Sequence, residues 1–152
     1  GHLLYFPWDD SRMNVTREEF EQDIRKSYSA LEPYGITIEK APYFVPPYEH
    51  YNDTVSAWAA DMGLKLINFT PGSTSNADYT TPQMKNYRSS QTIYENILSL
   101  EQREGLNGHL LLFHIGTVEA RTDKFYRSHL KMLIRELKRR GYKINNLKKH
   151  TL

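Results

Sequence analysis

The chain has 152 residues, 39% hydrophobic and 25% charged, with a net charge of +2. That composition is ordinary for a globular domain with a real core, and it excludes a disordered tail or a polybasic nucleic-acid binder. It contains no cysteine, so neither a disulfide framework nor a thiolate metal site is available, and no apolar run approaches the ~20 residues that cross a bilayer.

The chain opens on Gly1-His2 with no Met, which reads as a cut and places the expected natural N-terminus upstream. Asp9-Asp10 follows Pro7-Trp8, not an apolar strand, and reads as a solvated turn. Thr16-Arg17-Glu18-Glu19 is a capping box: the hydroxyl of Thr16 takes a backbone N–H while Glu19 reaches back. It starts a helix whose apolar stripe is Phe20, Ile24 and Leu31, with Tyr28 alongside, ending at Pro33 and Gly35. Tyr43-Phe44-Val45 predicts a short strand, stopped by Pro46-Pro47 because proline cannot donate to a ladder. Asn52 or Asp53 caps a second helix carrying Val55, Trp58, Ala59 and Met62 up to Gly63.

Residues 64 to 69 predict the next strand, and a polar loop rich in Thr, Gly, Ser, Asn and Pro runs from Thr70 to Pro82. A third helix over about 90 to 103 shows Ile93, Ile97 and Leu100 on one face. His109 to Ile115 predicts a strand apolar on both faces. Asp123 is expected to cap a fourth helix bearing Phe125, Leu130, Leu133, Ile134 and Leu137, closed by Gly141. Residues 142 to 144 predict a last strand. The basic cluster Lys138-Arg139-Arg140, with Lys143, Lys148 and Lys149, complements a helix C-terminus and needs no anionic partner. Most of the 11 tyrosines read as strand or core-edge residues.

Helices and strands alternate, with crossovers long enough to join parallel strands. The expected class is α/β, a parallel sheet with flanking helices in one domain over 1–152. In such folds functional groups gather at the C-terminal ends of strands. Three segments meet that condition: Pro46-Pro47-Tyr48-Glu49, the loop from Thr70 to Tyr79, and His114-Ile115-Gly116.

Three motifs in order, Pro46-Pro47-Tyr48, then Asp78-Tyr79, then Leu112-Phe113-His114, resemble the third, fourth and fifth motifs of NodB-homology polysaccharide deacetylases, carbohydrate esterase family 4. The resemblance spans Thr16 to Ile144 and implies the C-terminal portion of an incomplete (β/α) barrel of the deacetylase type. His2 resembles the second metal histidine of the family's second motif, while the first motif, T-F-D-D-G, has no counterpart here. The implied activity is metal-dependent removal of acetyl groups from an oligo- or polysaccharide outside the cytoplasm. A divalent metal, usually zinc, would be held in the intact protein by one Asp and two His, and not tightly by this piece.

The resemblance further implies His114 as the general acid, Asp78 as its orienting carboxylate and Tyr48 as a backbone N–H donor to the oxyanion. Tyr79 and Leu112 would wall the acetyl pocket, with Pro47 and Glu49 beside the sugar. From the residues alone, Pro46-Pro47-Tyr48 equally stops a strand, Asp78 equally makes an Asx turn, and Leu112 equally belongs to the core. The chain departs from the family in Val45, where an Arg is usual, in Glu49 for a common Gly, and in Ile115 for a frequent Asp. Those departures leave a second expectation open, a carbohydrate-binding pseudoenzyme. A truncated sheet would also expose a strand edge through which copies could associate.

Overall fold

The computed structural model describes residues 3–9, 12–145 and 147. The fold is mixed α/β, and the chain divides into two units, Gly1–Asn68 and Phe69–Leu152. His2, Asp10, Lys148 and Lys149 lie outside the described residues.

In the first unit, α1 (Arg17–Leu31) begins at the capping box: Glu19 N–H donates to Thr16 Oγ1, and the Glu19 carboxylate accepts from Thr16 N–H at 2.7 Å. Phe20 and Ile24 are buried and Tyr28 half-buried, whereas Leu31 is exposed, because the helix runs past its core before Pro33 ends it. Gly35 closes that turn at φ 73°, a left-handed conformation glycine adopts without a Cβ clash. β1 (Tyr43–Phe44) follows, then a single 3₁₀ turn at Pro47–Glu49. α2 (Asp53–Asp61) is capped by Asn52, whose Oδ1 accepts from Val55 N–H at 2.9 Å. β2 (Lys65–Leu66) pairs in parallel with β1, Tyr43 opposite Lys65 and Phe44 opposite Leu66.

This unit is organised around Phe20. Its ring lies 4.9 Å from Tyr5, 5.8 Å from Phe44 and 5.6 Å from Trp58, the first two edge-to-face. Val55, Ala59 and Leu64 complete the buried set. Aromatic pairs in this geometry add to the area term, which for a buried Phe is itself about 1.5–3 kcal/mol.

The second unit has α3 (Ser90–Glu104), α4 (Phe125–Ser128) and α5 (Leu130–Arg139). Ile93, Ile97 and Leu100 of α3 meet Phe125, Leu133 and Leu137 in a separate core. One helix was expected from Asp123 to Gly141; the structure breaks it at His129. Asp123 caps differently too. Its Oδ2 accepts the backbone N–H of Ser90 at 2.7 Å, so it serves the first turn of α3 across space and not the helix that follows it.

Four predicted strands are shorter or absent among the described residues, the first of them ending at Phe44 and not Val45. Residues 64 to 69 contribute only Lys65–Leu66, and neither 109–115 nor 142–144 is a strand. Leu110 to Phe113 is half-buried and tied to the polar loop before it: Thr70 N–H donates to Leu110 O, and Leu110 N–H to Thr70 Oγ1. A side-chain oxygen here takes the place of a neighbouring strand, which satisfies the backbone without a ladder. Residues 142–144 are held by the ring of Tyr142, whose hydroxyl accepts from Leu106 N–H and donates to Glu101.

Candidate functional site

The loop after β2 folds into a 3₁₀ segment, Ser75–Tyr79, entered through Thr74 at φ 56°. It is lined by buried polar side chains: Ser73, Ser75, Asp78 and Thr80. Each has work to do with the backbone. Ser73 Oγ accepts from Ser75 N–H, Ser75 Oγ accepts from Leu112 N–H, and Thr80 Oγ1 donates to Ala77 O. The loop therefore presents a row of oxygens to residues 110–114, and Asp78 is the last of them.

Asp78 is 1% exposed and holds His114 at two points. Its Oδ2 accepts the backbone N–H of His114 at 2.7 Å, and its Oδ1 lies 2.6 Å from Nδ1 of the ring. A carboxylate accepts only, so the contact assigns the proton to Nδ1. The ring is thereby fixed in orientation and tautomer, with Nε2 on the opposite edge. The imidazole is about one-third exposed, with Tyr79 edge-on at 5.5 Å. A buried carboxylate thus holds the imidazole through Nδ1 and leaves Nε2 as the ring's other nitrogen, an acceptor in the neutral ring and a donor in the imidazolium.

Arg121 is a residue the sequence reading passed over. It is fully buried, and its Nη1 donates to Thr80 O at 2.6 Å and to Arg88 O at 2.9 Å, with Nη2 donating to Ser90 Oγ at 3.1 Å. Its Nε lies 3.2 Å from Asp123 Oδ1, close enough for an ion pair but without hydrogen-bond geometry. The guanidinium sits 5.4 Å from the centre of the Tyr87 ring. Its contacts tie the end of the Asp78 loop to the start of α3. An Arg in a polar stretch, Glu119-Ala-Arg-Thr-Asp123, carries no periodicity to mark it as buried.

The other predicted residues are placed as follows. Leu112 is half-buried beside Ser75, and Tyr79 is exposed. Tyr48 and Glu49 belong to the first unit, where both have left-handed backbones at φ 58° and 56°. Tyr48 is half exposed, and Glu49 O accepts from Asn68 Nδ2 at 2.9 Å. Pro47 lines a cleft of about 300 Å³ together with Tyr5, Asp23, Tyr28, Tyr43 and Phe44; neither Asp78 nor His114 borders it. In that cleft Tyr5 donates to Asp23 Oδ2 at 2.9 Å, and burial first, then the carboxylate, pushes its phenol well above the ordinary tyrosine range. Val45 is exposed, as is Ile115.

Among the described residues no three His, Asp or Glu side chains converge as a metal set, and no helix is long and apolar enough to cross a membrane. No family model, curated protein or solved structure matches the chain.

Proposed function

We propose that the chain carries the proton-donor part of a carbohydrate deacetylase of the NodB-homology type, an incomplete barrel whose intact form releases acetate from an acetylated oligo- or polysaccharide outside the cytoplasm. The observation that carries this reading is the double hold of buried Asp78 on His114. Hydrolysis of a sugar amide or ester passes through a tetrahedral oxyanion, and its collapse needs a proton on the departing nitrogen or oxygen. As an imidazolium, protonated on both nitrogens, His114 gives its Nε2 proton to the departing atom and is left as the neutral ring with its proton on Nδ1. Asp78 keeps the ring turned and balances the charge of the imidazolium. Tyr79 flanks the imidazole, and Leu112 lies two residues before it in the chain.

His2, the metal ligand the resemblance implies, lies outside the described residues; in the intact protein a divalent metal would supply the activated water, and the role assigned to the described residues is proton donation. The test is acetate release by the complete protein from acetylated oligosaccharides. His114→Ala should lower the rate by about 10²-fold or more, the usual worth of a general acid. A rate unchanged by that substitution would remove His114 from the reaction.

Exposed Val45 and Ile115, where the family has Arg and Asp, favour a second reading, a carbohydrate-binding pseudoenzyme. It expects saturable binding of the same oligosaccharides with no acetate released at any metal concentration. Association through an edge of the two-stranded sheet belongs to the same proposal and is read by sedimentation of the chain.

A further inference from the structure

Trp8 is 66% exposed, an unusual setting for a side chain whose normal value lies in burying 150–250 Å². It is nevertheless held in place. Its ring centre is 4.0 Å from the imidazole of His50 at 32°, and His50 is itself 4.0 Å from Phe6 at 26°. Two rings cannot both lie that close to one face, so the imidazole is sandwiched between them. Phe6 is 5% exposed, and the stack runs from the core outward to an indole with one face to solvent. Pro7 O lies 3.4 Å from His50 Nε2 and bridges the two ends of the stack.

The loop that delivers His50 is strained. Tyr48 and Glu49 are consecutive non-glycine residues with left-handed backbones, each costing roughly 1–2 kcal/mol. Strain of this kind is kept where a particular presentation is useful. Asn68 fixes it by donating to Glu49 O. Asp9, which follows Trp8 in the chain, is a carboxylate that disfavours a phosphate-bearing ligand and suits one with hydroxyl donors.

We infer that Trp8, backed by His50 and Phe6, is a stacking platform for the apolar face of a pyranose ring, a sugar subsite on the first unit. A flat aromatic face, held in advance by His50 and followed in the chain by a carboxylate, matches a ligand that is apolar on its axial C–H face and hydroxylated at its edge. The subsite deepens the carbohydrate reading and rests on it for the ligand class, but it involves neither Asp78 nor His114.

The experiment is a titration of the chain, followed by the Trp8 indole N–H resonance, with β-1,4-linked tetramers of glucose, mannose and N-acetylglucosamine. At least one tetramer should shift that resonance saturably. Trp8→Ala should weaken the binding, followed by calorimetry, by about tenfold, with Trp8→Tyr keeping most of it. Because Trp8 is exposed, neither variant should unfold the chain. No saturable shift with any of the three sugars, or binding unchanged in Trp8→Ala, overturns the subsite. Acetate release plays no part in the readout, so a failed deacetylase reading and a failed subsite are told apart.

Discussion

The two units are stabilised by different means. In the first, position is set by apolar contact: Phe20 is wedged among Tyr5, Phe44 and Trp58, and a two-stranded sheet seats Phe44. In the second, an apolar helix core lies beside a polar one, where Arg121, Asp78, Ser73, Ser75 and Thr80 are all buried and hydrogen-bonded. Apolar contact is tolerant of shape, while hydrogen bonds in a buried site hold direction. The residues assigned a proton-transfer role sit in the part that holds direction.

That contrast can be broken by mutation. Arg121→Met should cost about 3–5 kcal/mol, because Asp123 loses its counter-charge and the Thr80 and Arg88 carbonyls lose their donor. Phe20→Ala should cost a similar amount through the cavity it leaves, about 3–5 kcal/mol. The conservative variants separate the two. Phe20→Leu should cost under about 1.5 kcal/mol beyond its lost volume, whereas Arg121→Lys should recover little, because an ammonium cannot span the same partners as a planar fork. Chemical denaturation of the four variants reads all of this; equal recovery by Leu and Lys would erase the distinction between the units.

Smaller effects probe the helix ends. Thr16→Ala removes the capping box of α1 and should cost about 1 kcal/mol in the same assay. In α5, hydrogen bonds from Arg139 first and then Arg140 hold the Glu136 carboxyl down to about 2. A carboxyl depressed in the folded state adds stability that is complete above its unfolded value and fades as pH falls toward the folded one. The window here is from 4.5 down to about 2, and the side-chain carbon shift of Glu136 should titrate near its lower end. Arg139→Gln should move that midpoint upward. Because the pair is exposed, the change in stability should be slight.

Much of the helical frame was legible in the sequence, since caps and stops are local chemistry. Thr16 with Glu19, Asn52, Gly35 and the Pro46-Pro47 stop act where they stand. The failures share a cause. The apolar run Leu110–Phe113 is compatible with a strand, but periodicity does not say whether its amides meet a neighbouring strand or the oxygens of Thr70, Ser75 and Asp78. Asp123 looked like a cap for the helix after it because the residue it serves, Ser90, is 33 positions away. Arg121 was missed for the same reason: its burial is made by partners spread from Ala77 to Asp123. Asp78 and His114 were named on motif order, and their contact spans 36 positions.

The central claim is that Asp78 dictates where the ring proton of His114 resides, and long-range nitrogen–proton NMR of the imidazole tests it most directly. In the unaltered chain near neutral pH, the Nδ1 proton should be present and shifted downfield by its 2.6 Å partner. In Asp78→Asn, the new amide oxygen keeps the backbone N–H of His114 and turns its NH₂ toward Nδ1, which must then accept. The proton should move to Nε2. A ring that carries its neutral proton on Nε2 in the unaltered chain, or whose spectrum is the same in both, contradicts the account.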